Sequence, residues 1–388
     1  MKKKLLLTAA GTVLLCLAVL IAWTLRLVNN LPDVSRLKQY RPPAAAEVFD
    51  RNERPLTSYY DRSLRFWVPI AEIPEHVIRA VVIAEDDTFF EHQGVNYKAT
   101  WDALVIDVKK RRFARGGSTI TQQMIKNVFL TREKTILRKV REYLLAKKAE
   151  DILTKREILQ IYLNEVEWGE DLYGIEAASR AYFDKHTGEL SVAEAALLAG
   201  MLPNPRYYNP FKHPDKSRDR RDQVLSNMLQ ARVITEEEFS AAVSAPLNLR
   251  NAAGARFAIS PSGGTGGRPC YQRVLEDVLL EAYGAQGLYR EGKRIRTTLD
   301  RDLQETVRSH EEALGPRDGA LPERVAAIRE GSAVRALACG GDEDTVRSWL
   351  GATGGIGGYT VMMLAPRELR TDDIVAMPSS AEASRGNE

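Results

Sequence analysis

Cysteine is scarce in this 388-residue chain, with three in all, and histidine nearly so, with five. Cys16 falls in an apolar run, which leaves Cys270 and Cys339 as an available but unforced pair and excludes a disulfide framework or a zinc cluster. No His-x-x-x-His spacing occurs, so a helix-borne zinc pair is excluded as well. Neither sign of charge is in excess, because 55 Lys+Arg stand against 52 Asp+Glu. Overall charge therefore does not mark a nucleic-acid binder, and local clusters must be weighed one by one. Internal repeats are absent.

Long apolar runs are equally few, and the one at the start is decisive for topology. Residues 5–25, "LLLTAAGTVLLCLAVLIAWTL", carry no charge and follow "MKKK". At about 1.5 Å per residue they match a hydrocarbon core of roughly 30 Å. A cleaved leader would be shorter and would end in a small-x-small site, which "WTLRLVNN" does not offer. Residues 1–28 thus read as a cytoplasmic tip and a single retained signal-anchor. Lys2, Lys3 and Lys4 place the tip in the cytoplasm and the rest of the chain across the membrane.

Residues 29–47 form a polar, proline-marked stalk. "EVFDRNERPLTSYY", with "LRFWVPI", reads as two strands around a turn at Arg51–Arg54. From Pro74 to about Leu249 helical periodicity dominates, including one pattern from Ile136 through Ile152 to Tyr162 and a short apolar helix in "SVAEAALLAGMLPNP". Residues 250–269 are a Gly, Ser and Pro-rich linker. In 270–308 the order is helix, strand, and a second helix capped near Asp300. Residues 309–388 read as a divergent or partly disordered tail. The fold class is mainly α, with a small α/β C-terminal appendage.

Three constellations could carry chemistry. In "AEDDTFFEHQGV", Glu85 and Phe89 share a helix face at i and i+4, and Asp86 joins Phe89 at i−3. A carboxylate against an aromatic wall is partly desolvated, which raises its pKa and makes it a usable base. A solvated acidic helix face, with His92 and Gly94 as its stop, fits the same residues. In "RGGSTITQQMIKN", Ser118 or Thr119 can start a helix whose polar stripe is Thr119, Gln123, Lys126 and Asn127. Hydroxyls and amides at a helix N-terminus suit sugars or phosphate oxygens, whereas an ordinary capped helix leaves the amide density unexplained. In "LRKVREYLLAKKAE", Arg138 and Glu142 are either a local ion pair or part of a cationic face for diphosphate, with Lys139 as a point charge. "KKRRFAR", Lys109 to Arg115, suits anionic lipid head groups, with Phe113 as an apolar contact.

In order, "EDDTFFEHQG", "RGGSTITQQMIKN", "RKVREYLLAKKAEDILTKREILQIYLNEVEWG", "YGIEAASRAYFDK" and "AEAALLAGMLPNPRYYNP" resemble the five motifs of the peptidoglycan glycosyltransferases, glycosyltransferase family 51. That family occurs in monofunctional transglycosylases and class A penicillin-binding proteins. The resemblance covers residues 48–249 and implies a lysozyme-like helical domain of head and jaw lobes. It implies polymerisation of lipid II into glycan strands, with release of undecaprenyl diphosphate and inversion at the anomeric carbon. Glu85 matches the general base and Glu142 the second catalytic glutamate. Asp86, Phe89, His92, Ser118, Thr119, Gln123, Lys126, Asn127, Arg138 and Lys139 match substrate-binding positions. No cofactor is required; a divalent cation, Mg or Mn, at the diphosphate is an option the family is thought to use. The implied partners are lipid II, the growing strand, membrane lipids and other wall-synthesis proteins, at the outer side of a bacterial inner membrane.

Two departures accompany the resemblance. Asp87 stands where many relatives carry a basic or neutral residue, so the acid cluster is denser than usual. "EAYGAQGLYREGKRIRTTLDRDLQETV" resembles the segment before a transpeptidase, yet the signatures of that enzyme are missing. Ser-x-Asn occurs nowhere, Ser-x-x-Lys only at Ser35–Lys38, and "KHTG" from Lys185 interrupts Lys-Thr-Gly. The expectation is a glycosyltransferase without transpeptidase function, the remnant of a bifunctional protein being one origin. A glycan hydrolase and a catalytically silent scaffold are the rivals.

Overall fold

The computed structural model describes residues 26, 28–61, 63–98, 101, 117–131, 133, 135–169, 172–250, 259–261, 270–313, 324–340, 342–352, 358–365, 368–369 and 374–376. The anchor run, "KKRRFAR" and most of the 250–269 linker lie outside these residues. No described helix is long and apolar enough to cross a membrane.

The helices are α1 (Glu75–Glu85), α2 (Ile120–Phe129), α3 (Ile136–Glu150), α4 (Lys155–Glu165), α5 (Ile175–Phe183), α6 (Val192–Met201), α7 (Pro214–Gln230), α8 (Glu236–Ser244), α9 (Cys270–Arg290), α10 (Arg301–Ala313) and α11 (Glu343–Ala352). The strands are β1 (Ala46–Phe49), β2 (Pro55–Tyr60), β3 (Glu167–Gly169), β4 (Leu172–Tyr173), β5 (Ile259–Pro261), β6 (Arg294–Thr297), β7 (Val325–Glu330), β8 (Ala333–Cys339), β9 (Thr360–Leu364) and β10 (Ile374–Ala376). The chain is mainly helical and divides into two compact units.

The first unit, residues 1–41, 68–169 and 178–249, holds α1–α4 and α6–α8. Its helices start where the sequence supplies caps. Thr119, Thr154, Ser191 and Thr235 each close a capping box with the Gln or Glu three residues on, which satisfies two free helix-end donors at once. The Thr154 box splits the continuous helical pattern of 136–162 into α3 and α4. The core is built from the apolar faces of α1, α2, α4 and α6, with Val81, Phe89, Met124, Leu159, Tyr162 and Leu198 buried. Asn164 sits fully buried on α4, where its amide accepts from Val68 N at 2.9 Å and donates to Val68 O at 2.9 Å. Gln160, one turn earlier, accepts from Ile70 N. These two amides do for an irregular entry segment what a neighbouring strand would otherwise do.

The second unit, residues 42–67, 170–177 and 250–388, is built on a five-stranded sheet in the order β10-β6-β1-β2-β5. β1 and β2 flank the expected turn, tied by Asp50, whose Oδ1 accepts from Asn52 N and Arg54 N at 2.8 Å each. Residues 64–70 make no strand, and β1 instead pairs in parallel with β6. So β1 and β2, assigned by motif order to a 48–249 domain, are packed with C-terminal residues. The 309–388 segment also contains ordered structure: β8-β7-β9 form an antiparallel sheet beside α11. Val325, Ala327 and Leu337 share a buried cluster with Val48, Tyr59 and Ile295, and Ala326, Ala336 and Val346 form a second with Val307 of α10. Gln304 fixes α10 to β8, donating to Leu337 O and accepting from Leu337 N at 2.8 Å each. Cys339 is disulfide-bonded; the side chain of Cys270 lies outside the described residues.

Candidate active site

Helix α1 ends one residue after its apolar face does, and Glu85 is its last residue. Asp86 leaves helical space with φ −161° because its carboxylate is used elsewhere. Its Oδ2 accepts from Ile120 N at 3.0 Å at the start of α2, and the N–H at Nε2 of His92 lies 3.0 Å from both carboxylate oxygens. The i, i+4 pairing of Glu85 with Phe89 expected from a continued helix therefore does not form. Phe89 turns inward, fully buried, with the Lys155 ammonium 4.4 Å from its ring centre.

That loop is locked from beneath by Gly94, whose φ of +83° is open to glycine and strained for other residues. A β-carbon there would lie 2.9 Å from the Ala146 carbonyl on α3. Thr119 caps α2 and donates its hydroxyl to Gly94 O at 2.6 Å, so this residue is structural and buried. Thr121, also buried, donates to Glu150 at 2.6 Å, and Lys155 Nζ reaches both Glu150 and the His92 carbonyl. Thr121, Glu150 and Lys155 escaped the sequence reading because each resembles an ordinary polar helix position.

Gln123, one turn into α2, donates from Nε2 to Glu85 Oε2 at 2.8 Å. Burial raises the Glu85 pKa, the Gln123 hydrogen bond and the charges of Arg220 and Lys126 oppose the rise, and Asp86 adds to it. Lys126 and Asn127 follow on the exposed side of α2. Although its surface reaches solvent, the packed neighbours of Lys126 desolvate its ammonium and push its pKa down; Glu142 opposes that, Arg138 and Lys139 reinforce it, and Glu85 opposes it. Lys126 is thus within electrostatic reach of both glutamates.

Glu142 is buried at 2 % exposure on α3 and each oxygen has a cation. Arg138 donates to Oε2 at 2.7 Å, and Lys139 pairs with Oε1 while also donating to Ser118 Oγ at 2.7 Å. The i, i+4 ion pair of the sequence reading is present, and it is buried on the carboxylate side. Glu85, raised in pKa by burial, and the cations Arg138 and Lys139 paired to Glu142 are thus linked through Lys126, on which both glutamates act.

A family model described as transglycosylase matches residues 52–229. Residues 52–229 belong to the peptidoglycan glycosyltransferases. The chain is 39% identical over 313 residues to penicillin-binding protein 1A of Aquifex aeolicus, covering 80% of this chain and 42% of that one. It is 35% identical over 280 residues to the Pseudomonas aeruginosa protein of the same name, covering 72% and 33%, and 33% identical over 278 residues to that of Escherichia coli, covering 72% and 32%. This chain therefore spans less than half the length of these relatives. The crystal structure of penicillin-binding protein 1A from Haemophilus influenzae aligns over 80% of this chain and 35% of its own, at 18% identity and a TM-score of 0.36.

Two further residues, Tyr162 and Arg220, lie within electrostatic reach of Glu85. Sequence periodicity put Tyr162 among the apolar residues of α4, and nothing local distinguished Arg220 in the charged run "DKSRDRRDQ". Their positions follow from packing: Tyr162 is fully buried beside Gln123, and the side chain of Arg220 packs against Gly200 of α6.

Proposed function

We propose that this chain is a membrane-anchored polymerase of lipid II, making β-1,4-linked glycan with inversion and releasing undecaprenyl diphosphate. The observation that carries this reading is the pairing of Glu85, a carboxylate whose affinity for a proton is raised by burial, with a separate cation cluster around Glu142. Glu85 takes the proton of the acceptor 4-hydroxyl as its oxygen attacks the donor anomeric carbon. The new C–O bond forms on the face opposite the bond that breaks, and the electron pair leaves with the diphosphate. Lys126, Arg138 and Lys139 hold the charge of that leaving group, which removes the need for a strong general acid. Glu142 keeps Arg138 and Lys139 in one orientation, and Gln123 and Asn127 bind sugar or phosphate oxygens. Asp86, Phe89, His92 and Thr119 support this surface from behind.

Among the described residues no group of three or more His, Cys, Asp or Glu side chains could hold a metal ion, and both Glu142 oxygens are engaged by cations. The described residues alone thus do not make a protein-held cation site.

The apolar run at 5–25 supports anchoring in a bacterial inner membrane with the catalytic domain outside. Exposed Tyr97, Trp101 and Ile136 bracket "KKRRFAR" in the sequence, a pattern suited to an anionic bilayer surface and to a jaw lobe resting on it. The Cys339 disulfide suits an oxidising compartment. The full chain in detergent or liposomes, given labelled lipid II, is expected to yield glycan polymer and free undecaprenyl diphosphate. Soluble fragments from sacculi without polymer would establish the hydrolase instead, and neither product would leave the scaffold.

A further inference from the structure

The base is oriented by an amide, and an amide can face either way. Gln123 presents Nε2 to Glu85 at 2.8 Å, and its Oε1 accepts from the Tyr162 hydroxyl at 3.3 Å. Tyr162 lies on α4 and its side chain is fully buried. We propose that Tyr162 is a positioning residue for catalysis, which fixes the Gln123 amide so that its N–H, rather than its oxygen, faces Glu85. The inference rests on Glu85 being the base.

The chemistry runs through donors and acceptors. An ionised carboxylate accepts only, so its neighbour must donate; a protonated one can donate to an amide oxygen. With the tyrosine hydroxyl donating, Oε1 is already satisfied where it is, and the flipped amide would leave that O–H without its acceptor in a buried site. The hydroxyl therefore favours the arrangement in which Glu85 is ionised and ready to take a proton. Burial, together with the nearby Glu85 and Asp86, raises the Tyr162 pKa well above its ordinary value, so it keeps its proton across the working range. Without the hydroxyl, Gln123 Oε1 loses the donor it has in the wild-type site. Protonated Glu85 supplies that donor once the amide turns, and the base then holds its proton more tightly. The other charges facing Glu85 are Asp86, Lys126 and Arg220, and they are unchanged by removal of a neutral hydroxyl.

The test is the pH profile of kcat/KM for lipid II polymerisation by the full chain and by Tyr162→Phe. On the acidic limb the variant is expected to lose roughly three- to tenfold, with a loss below about twofold on the alkaline plateau, the size of one hydrogen bond read through a proton equilibrium. Tyr182→Phe is the control. It removes another buried hydroxyl, which donates to Trp168 O at 3.0 Å, and is expected to leave the profile in place. In a Gln123→Ala background, Tyr162→Phe should produce no additional displacement. A parallel drop at all pH values, or a displacement that persists without Gln123, would overturn the inference while leaving Glu85 as base. Full activity of a folded Glu85→Gln protein would instead remove the reading beneath it.

Discussion

Glu85 binds its proton more tightly in the folded protein than in the unfolded chain, because burial disfavours the carboxylate. Its contribution to folding is therefore full below the ordinary glutamate range and is lost as pH rises through the elevated value. Glu85→Gln holds the neutral form permanently. The thermal midpoint of this variant is expected to exceed that of the parent near pH 8, with the difference vanishing at about pH 4. Equal midpoints at both pH values would mean that Glu85 is not desolvated. Functional side chains of this kind were legible as types, since a carboxylate beside phenylalanines and a stripe of amides announce themselves. What was hidden is which way each side chain turns. Phe89 and Thr119 share motifs with Glu85 and Gln123 but face the core, because Asp86 breaks α1 and Thr119 caps α2.

At the scale of elements, the site is a loop and three helices held in register by small contacts. Gly94 is the tightest of them, since α3 passes against it with no room for a β-carbon. Gly94→Ala is expected to destabilise the fold by about 1–3 kcal/mol, from the positive φ and the contact with Ala146 O together, measured by urea unfolding. A change within about 0.5 kcal/mol would show that the loop can move away from α3 at little cost. Of the helix starts, that of α2 was legible at Ser118 or Thr119, whereas the equally local boxes at Thr154, Ser191 and Thr235 that begin α4, α6 and α8 were passed over, because apolar periodicity ran on unbroken across Thr154. The ends were harder. After Glu85 the chain turns with Asp86, whose carboxylate holds His92, six residues on and inside the same motif, and Ile120 N, a partner that no window of neighbouring residues contains.

The whole molecule shows the same limit at longer range. The periodicity of 74–249 was enough to expect one helical unit, whereas the parallel pairing of β1 with β6 joins residues almost 250 positions apart. The sheet makes a prediction. Cutting the chain after Leu249 removes β5, β6 and β10 and leaves β1 and β2 as an isolated hairpin, which is marginal by itself in water. Hydrogen exchange is then expected to lose protection at Val48 and Tyr59 while α2 and α4 keep theirs. Retained protection at Val48 would show that the hairpin holds without its C-terminal partners.

In the proposed mechanism Glu85 takes the acceptor proton while the cations gathered by Glu142 hold the leaving diphosphate. The most direct measurement is the initial rate of lipid II polymerisation by the full chain against Glu85→Gln, with a melting curve showing both folded. Polymer is expected from the parent and a rate lower by a factor of at least about 100 from the variant, the range expected on losing a general base. Polymer made at the parent rate by folded Glu85→Gln would contradict it.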